Sequence, residues 1–520
     1  MRRKIRVLPR ETLWTARWQD EKDCHRESAE AVVAVVREGP NVVILRIVVS
    51  KMSILRTLRF RLGFWTVTEM RKEMNEEDCL YLYERREEQP MELIEWILAD
   101  KNLDEAIRNV KRNKGAAGVD GKSVDALDAL FQQEGMAIKR AIRTKKYRPD
   151  PVRRVYIPKP NGKKRPLGIP TVRDRVIQQA TAQVLSLGYE QYFSENSYGF
   201  RPNRDCHMAV MKALEYLNEG YDWVVDLDIE KFFDTVNHDK LISILRERIN
   251  DAPTLNLIRK FLRAGVLEDG LVSANEEGMP QGGPLSPVLS NIYLDKLDKE
   301  LESRGLRFCR YADDCVIFCK SEMAANRVMK SITSWLERKL KLKVSATKTK
   351  VVRPTNASFL GFGFYKNSQS WKCKPLKDRK QRLYDKAKSI LCRKRAVARS
   401  LASTFKQLNW LIRGWVNYYR IGSMKGFLRN FSMWLRHKIR VVLIKQWKMP
   451  RTIYKNLMKL NLLYRCRLSH EDIYKVANSR LGWYRRAGMD VVNYCINVKS
   501  FSTPKGDRPA LVDPLAYYLK

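Results

Sequence analysis

The chain has 520 residues, more than one ordinary domain needs, so we expect three or four units. Its hydrophobic share of 44% and aromatic share of 10% are enough to build buried cores and exclude a largely disordered chain. Lys and Arg total 99 against 58 Asp and Glu, which gives a formal net charge of +41. A surface that positive repels itself, so we expect a polyanion, and nucleic acid first, as the partner.

Membrane, secreted and metal-scaffold classes fit the composition poorly. No stretch is long and apolar enough to cross a bilayer, and the N-terminus lacks the apolar segment and cleavage site of a signal peptide. There are ten Cys, none in a Cys-x-x-Cys pair, and five His, which argues against disulfide scaffolds and zinc modules. We therefore expect a protein of the reducing cytoplasm, with free thiols and no membrane partner.

Residues 1–90 differ from the rest because their hydrophobicity has no sustained period. They are either a small extra domain or sequence translated upstream of the native start. The second interpretation is favoured, with a start near Met70, Met74 or Met91.

Regular patterns begin at residue 91. Apolar residues recur at helical spacing over 91–110, which predicts a helix, and the glycine-rich run 115–121 ends it. Val152–Pro158 has the pattern of a strand, Asn161-Gly162 that of a turn, and 165–169 that of the return strand. This mixture of helices and short strands predicts an α+β fold.

Two blocks of carboxylates follow apolar strand patterns. The strand over 222–228 ends in acids, and since strands alternate faces, Asp226 and Asp228 point the same way. In the second block apolar runs flank Asp313 and Asp314, as in a hairpin with both acids at its tip. Adjacent carboxylates are costly to bury unless cations share them, and Mg²⁺ prefers carboxylate oxygens. Two such ions suit phosphoryl transfer, which points to a nucleotidyl transferase; the alternative for Asp-Asp is ordinary turn chemistry.

A stiff glycine-containing loop lies between the two acid blocks. In residues 278–287 Gly282 and Gly283 allow a close backbone approach to a ligand, and three prolines restrict the loop. The segment leads into an apolar helix over 288–297. A plain loop before a helix is the alternative, but its place between the acid blocks favours a functional role.

With these blocks in this order, the sequence resembles a bacterial group II intron-encoded reverse transcriptase, also called a maturase. The motifs that carry the resemblance are 115–121, 167–170, 198–202, 228–234, 280–283, 311–314 and 359–362. The resemblance implies a right-hand polymerase with fingers and palm over 91–365. It also implies an α-helical thumb, or maturase domain X, over 366–449 and a small helical DNA-binding region over 450–520.

The resemblance assigns a metal site. Asp228, Asp313 and Asp314 would ligate two Mg²⁺ ions, assisted by the backbone carbonyl of Ile229. These three acids would be the catalytic residues of RNA-templated dNTP addition to a DNA 3′ end.

The resemblance also assigns contacts to the incoming dNTP. Lys159 and Arg165, on either side of the predicted turn, would reach the triphosphate. Phe233 would lie under the sugar and exclude a 2′-hydroxyl; the alternative is a core aromatic. Gln281 would pack against the nascent base pair, and Lys348, in a Lys-rich run, is a candidate for assisting the leaving pyrophosphate.

The carboxyl-terminal third is strongly basic. Residues 371–449 contain 22 Lys and Arg but only two acids. The spacing of the apolar residues over 405–419 predicts an amphipathic helix, and a second helix is predicted over 426–446. A cationic ridge on the second helix is expected from four residues that share one side: Lys425, Arg429, Arg436 and Arg440. The resemblance implies that this thumb grips intron RNA and the template–primer duplex.

The implied function is an RNA-directed DNA polymerase that also binds its group II intron RNA to assist splicing and mobility by target-primed reverse transcription. Its partners would be intron RNA, an RNA template with a DNA primer, target DNA and dNTPs. The alternatives are a domesticated relative in phage defence or DNA repair, and an RNA-binding splicing factor only; the three intact acids favour the enzyme. No HNH-type block precedes Lys520, so second-strand cleavage is not expected.

Overall fold

The computed structural model describes residues 30–38, 41–49, 92–158, 162 and 164–520. The chain divides into two units, residues 1–91 and 92–520. In the first unit β1 (Glu30–Glu38) and β2 (Asn41–Val49) pair as an antiparallel hairpin. The predicted start positions lie outside the described residues: Met70, Met74 and Met91.

In its described residues the second unit is rich in helix and has eleven further strands. Its strands are β3 (Val152–Pro158), β4 (Lys164–Ile169), β5 (Trp223–Leu227), β6 (Val266–Glu268), β7 (Leu271–Ser273), β8 (Arg307–Tyr311), β9 (Asp314–Cys319), β10 (Lys350–Val352), β11 (Ser358–Phe359), β12 (Phe362–Lys366) and β13 (Trp371–Pro375). Its α-helices are α1 (Leu93–Leu98), α2 (Asp100–Arg112), α3 (Leu127–Arg143), α4 (Val172–Glu190), α5 (Cys206–Asn218), α6 (Phe232–Thr235), α7 (His238–Arg246), α8 (Ala252–Leu262), α9 (Leu285–Ser303), α10 (Glu322–Trp335), α11 (Lys377–Ile390), α12 (Arg393–Ala398), α13 (Leu401–Tyr419), α14 (Lys425–Trp447), α15 (Pro450–Tyr464), α16 (His470–Ala477), α17 (Trp483–Arg486), α18 (Asp490–Cys495), α19 (Val498–Ser502) and α20 (Pro514–Leu519).

The helix predicted over 91–110 is two helices, α1 and α2, separated at Ala99. Ala99 has an extended backbone, with ψ at 137°. The side-chain amide of Asn102 donates to the Ile97 carbonyl at 2.9 Å and to the Ala180 carbonyl at 3.1 Å. The break is therefore stabilised because Asn102 supplies a partner for the end of α1, which periodicity alone does not reveal.

The first sheet has the strand order β4-β3-β6-β7. β3 and β4 form the predicted antiparallel hairpin, in register from Arg153 opposite Ile169 to Pro158 opposite Lys164. β4 begins one residue earlier than predicted, at Lys164. Of the predicted turn, Gly162 has a positive φ of 79°, whereas Asn161 lies outside the described residues.

The second sheet has the order β10-β5-β9-β8, with all neighbours antiparallel, and it separates two hydrophobic cores. Val225 and Ile317 point into a core shared with α4 and α9. Val224 and Phe318 point to the opposite side, into a core shared with α5 and the carboxyl-terminal helices. Because side chains alternate along a strand, a sheet covered on both faces is apolar throughout, as these strands are.

The predicted helices over 405–419 and 426–446 are confirmed as α13 and α14. Phe405, Leu408 and Ile412 are buried, as their spacing predicts. Among the residues that the structure describes, none of the helices is long and apolar enough to span a membrane.

The carboxyl-terminal segment folds back onto α13. Buried Asn409 donates from Nδ2 to the Ala510 carbonyl at 2.7 Å, and its Oδ1 accepts from the Val512 backbone N–H at 2.8 Å. The Tyr517 hydroxyl donates to Asn417 Oδ1 at 3.0 Å. Residues about a hundred positions away thus satisfy the buried Asn409 amide, and an exposed hydrogen bond from Tyr517 adds a second link to α13.

Candidate active site

The second sheet brings the predicted acids together at one end. Asp228 is the first residue after β5, and β5 pairs with β9 so that Leu227 lies opposite Cys315. The same register continued by one residue sets Asp228 opposite Asp314, while Asp313 occupies the turn before β9. Directly opposite residues in an antiparallel pair have Cβ atoms within about 5.5 Å. The three carboxylates therefore lie at the same end of the sheet.

This end of the sheet carries an excess of negative charge. Desolvation, and after it the neighbouring charges of Asp313, Asp226 and Asp228, raise the pKa of Asp314 to about 6 against the opposing effect of Lys348. Desolvation also raises the pKa of Asp226, with Asp228 adding to the rise. An added cation would relieve this repulsion.

Asp228 is held on three sides by one loop. Its two carboxylate oxygens each accept from Lys348 Nζ at 3.0 Å. Its backbone N–H donates to Thr349 Oγ1 at 3.2 Å, and its carbonyl accepts from the Ser345 N–H at 2.9 Å. The sequence had pointed to Lys348 but not to Ser345 or Thr349, because small polar residues in a Lys-rich run give no spacing signal.

The carboxylate oxygens at this end of the sheet are suitable ligands for a hard divalent cation. In the described part of the chain, no three His, Cys, Asp or Glu side chains already stand in a metal-binding group. The carboxylates nevertheless converge, and their repulsion raises the Asp314 pKa. Lys348 is bonded to the Asp228 carboxylate, so a cation binding there would replace one positive partner with another.

The loop between the acid blocks contacts β4 on one side and α6 on the other. Arg165 on β4 donates from Nε to Gln281 Oε1 at 3.0 Å. Gln281 in turn donates from Nε2 to Asp234 Oδ1 at 3.2 Å. Two of the predicted dNTP contacts are therefore joined directly, whereas Lys159 lies outside the described residues.

Gly282 shows why this loop needs glycine. Its φ is +128°, and a Cβ at this position would lie 2.6 Å from the Gly168 carbonyl oxygen. The Gly168 N–H donates to the Gln281 carbonyl at 2.7 Å. The loop is thus seated on β4 through backbone contacts that no side chain could share.

Phe233 and Ile229 flank the first acid block. The half-buried Phe233 ring packs edge-on against Phe232 at 5.2 Å between centroids. Its backbone carbonyl accepts from the Met279 N–H at 2.6 Å, which ties α6 to the loop over 278–287. Ile229 is buried, pairs with Val344 in an isolated bridge and presents its backbone next to Asp228.

The predicted cationic ridge on α14 is not one exposed surface. Lys425 and Arg429 are exposed. Arg436 forms an ion pair with Asp513 at 3.0 Å, and Arg440 donates from Nε to the Ile496 carbonyl at 2.9 Å. Desolvation and Arg436 lower the pKa of Arg440 to about 10. The ridge is therefore corrected to an exposed half and a half that binds the chain's own carboxyl-terminal segment, which helical spacing could not reveal.

Two family models match the chain. Residues 157–364 match the reverse transcriptase (RNA-dependent DNA polymerase) family. Residues 380–461 match the group II intron, maturase-specific domain. The first match contains the whole second sheet and all three acids, and the second contains α13 and α14.

Known relatives agree with these matches. Protein YkfC of Escherichia coli is 33% identical over 362 residues, 62% of this chain and 92% of YkfC. The group II intron-encoded protein LtrA of Lactococcus lactis is 42% identical over 206 residues, 39% of this chain and 34% of LtrA, so the chain spans about a third of that relative. The putative COX1/OXI3 intron 2 protein of Saccharomyces cerevisiae is 36% identical over 202 residues, 38% of this chain and 23% of that protein.

The palm-like sheet with its acids, the helical region after it and these matches confirm the resemblance found in the sequence. The chain belongs to the group II intron reverse transcriptase and maturase family, whose members are RNA-directed DNA polymerases with a domain that assists intron splicing.

Proposed function

We propose that this chain extends a DNA 3′ end on an RNA template with two Mg²⁺ ions held by Asp228, Asp313, Asp314 and the carbonyl of Ile229. The family uses divalent ions; the metal, the number of ions and the ligands are the proposal. Such ions supply electrostatic stabilisation of the attacking and leaving oxygens in an in-line phosphoryl displacement.

The other side chains of the site bind and orient. Arg165 is bonded to Gln281 and would exchange that bond for a bidentate contact to the triphosphate of the dNTP. Gln281 stays anchored to Asp234 and would pack against the new base pair. Lys348, 3.0 Å from both Asp228 oxygens, neutralises that carboxylate and is placed to assist the leaving pyrophosphate.

One observation supports this proposal above the others. The β5–β9 register ends with Leu227 opposite Cys315, so the next residues, Asp228 and Asp314, adjoin although 86 positions separate them in the chain. A protein that only bound RNA would have no need to oppose these carboxylates at a cost in electrostatic repulsion.

The direct test is primer extension on a defined RNA template with a DNA primer. We expect extension with dNTPs and Mg²⁺, little with NTPs, and none when EDTA removes the metal. Absence of extension under every condition, with RNA binding intact, would leave only an RNA-binding splicing factor.

The thumb-like helices are proposed to bind the intron RNA and the template–primer duplex, and 450–520 to contact target DNA during target-primed reverse transcription. The maturase-specific match and the near absence of acids over 371–449 support the first role. The exposed Tyr484 and the Arg485 beside it support the second.

Replacing Lys425 and Arg429 together with Gln should weaken intron-RNA binding at low salt. Each lost phosphate contact lowers the slope of log K against log salt by about 0.7 to 0.9, so the pair should lower it by about 1.5. Filter binding across a salt series measures the slope. Because both side chains are exposed, the Tm should stay unchanged.

The matched control replaces Arg436 and Arg440 with Gln. These residues bind Asp513 and the Ile496 carbonyl, so their loss should lower the Tm and leave the salt slope close to wild type. A slope that falls only in the control pair would transfer the RNA contact to Arg436 and Arg440.

A further inference from the structure

A buried arginine, Arg310, lies near the end of β8, just before the turn at Ala312 and Asp313 that leads into β9. Arg310 is fully buried and ends its side chain against Asp298 on α9, with Nε 2.7 Å from Oδ1 and Nη2 2.5 Å from Oδ2. Burying such a pair costs desolvation that its attraction barely offsets, and apolar residues often replace it without loss of stability. Stability alone is therefore a weak reason for an arginine here.

The remaining hydrogen bonds of the guanidinium reach other elements. Nη1 donates to the Ala312 carbonyl at 2.9 Å and to Asn291 Oδ1 at 3.2 Å. Nη2 donates to Ser197 Oγ at 2.8 Å. The rigid donor fork of arginine thus joins α9, the segment before α5 and the turn itself, which the single ammonium of lysine could not do.

The turn needs an external partner because its backbone is strained. Ala312 has a φ of +58°, in the left-handed region that residues with a Cβ avoid. Its carbonyl is the one that Arg310 holds, and the next two residues are Asp313 and Asp314. The orientation of both carboxylates therefore depends on a conformation that alanine does not prefer.

The segment 198–202, one of the motifs that carry the resemblance, packs on the back of the same turn through Tyr198 and Gly199. A Cβ at Gly199 would lie 2.3 Å from the Ala312 backbone nitrogen, so only glycine fits. Asn291 donates from Nδ2 to the Gly199 carbonyl at 2.7 Å, and the Tyr198 N–H donates to the Arg310 carbonyl at 2.9 Å. Asn291 therefore links Gly199, which packs against the turn, to Arg310.

We propose that Arg310 is a positioning residue for the reaction: its guanidinium, held by Asp298, Asn291 and Ser197, binds the Ala312 carbonyl and fixes the left-handed turn that presents Asp313 and Asp314. This inference rests on the proposed catalytic role of those two acids. Arg310 touches neither substrate nor metal ligand atoms and acts through the turn.

The test compares wild type with Arg310→Lys and Arg310→Met in the full chain. Loss of a residue that orients metal ligands costs about 10- to 100-fold in metal affinity, so the Mg²⁺ concentration for half-maximal extension should rise by about 10-fold or more. The kcat at saturating Mg²⁺ should fall by about 100-fold, because misplacement of about 1 Å has that effect. The KM for dNTP should change less than about 3-fold, since its expected contacts lie on β4 and the 280–283 loop.

Arg201→Lys is the matched control. Arg201 is a second buried arginine, paired with Glu190 at 2.8 Å, and it bonds the Ser194 and Ser197 carbonyls without touching Ala312. It should lower the Tm and leave the Mg²⁺ midpoint within about 2-fold. The same rise in midpoint for both arginines would overturn the proposal, because any buried arginine would then serve.

Ser197→Ala removes one hydroxyl from the Arg310 fork and is the mild variant. It should raise the Mg²⁺ midpoint by about 3-fold with the fold retained, and it decides the question if both Arg310 variants fail to fold. Arg310 or Ser197 variants with a normal midpoint and kcat would refute the positioning role. Extension that survives in Asp313→Ala would instead refute the proposed catalytic site, whatever the Arg310 result.

Discussion

A variant with Asp313 and Asp314 both changed to Ala should lose primer extension on poly(rA)/oligo(dT) by at least about 10⁴-fold, while RNA binding stays near wild type. The loss follows because these carboxylates are the proposed ligands of the ions that stabilise phosphoryl transfer, and groups that act as one unit fail together. Extension rates and filter binding on the same preparation measure both quantities.

The stability of the related Asp314→Asn variant provides a control on folding. The folded-state pKa of Asp314 is about 6, raised from 3.8, so the ionised form is disfavoured in the folded protein. In EDTA the variant should therefore have a higher Tm than wild type above pH 6, and this difference should vanish as the pH falls towards 4. Mg²⁺ should raise the wild-type Tm but not that of the double variant. Wild-type primer extension by the Asp313→Ala, Asp314→Ala variant would show that these residues are not the metal ligands.

Phe233→Ala should lower the preference for dNTPs over NTPs by about 10- to 100-fold, chiefly through faster NTP incorporation. A pocket that excludes a single hydroxyl by shape discriminates by about that factor. The ring packs against Phe232, and the backbone of Phe233 is bonded to the Met279 N–H, so a shift of the ring away from a 2′-hydroxyl would cost packing. The ratio of kcat/KM values for dCTP and CTP on one RNA template measures the change.

Phe233→Tyr keeps the ring and should keep the preference, which makes it the matched control. If Phe233→Ala lowers only the Tm and leaves the ratio unchanged, Phe233 is the core aromatic that its half-buried position also allows. Loss of extension with both nucleotide types would show a wider packing defect.

The fold was predictable where local pattern and tertiary environment agree. The β3–β4 hairpin carried both strand alternation and a turn signal, and the apolar runs of β8 and β9 flank the turn that carries Asp313 and Asp314. Their convergence was predictable too, because a metal-dependent site needs carboxylates from separate segments to meet.

What could not be predicted depends on contacts between distant residues. Arg310 is one of 99 basic residues, and only its burial against Asp298 distinguishes it from a solvated charge. Arg436 and Arg440 have the spacing of an exposed face, yet Asp513 and Ile496 cover them. Helical periodicity reports which residues share a side but not what lies against it.

The return of the carboxyl-terminal segment to α13 has a consequence for dissecting the two proposed nucleic-acid activities. Because the Asn409 side chain is bonded to the backbone of Ala510 and Val512, deleting the last dozen residues would leave this buried amide without those partners, within the helices proposed to bind RNA. Loss of both DNA binding and RNA binding in a truncated protein would thus reflect destabilised packing of these helices, and not the loss of two separate binding sites. To separate the two roles, single residues should be changed at exposed positions such as Tyr484, because these changes leave the hydrogen bonds of Asn409 intact.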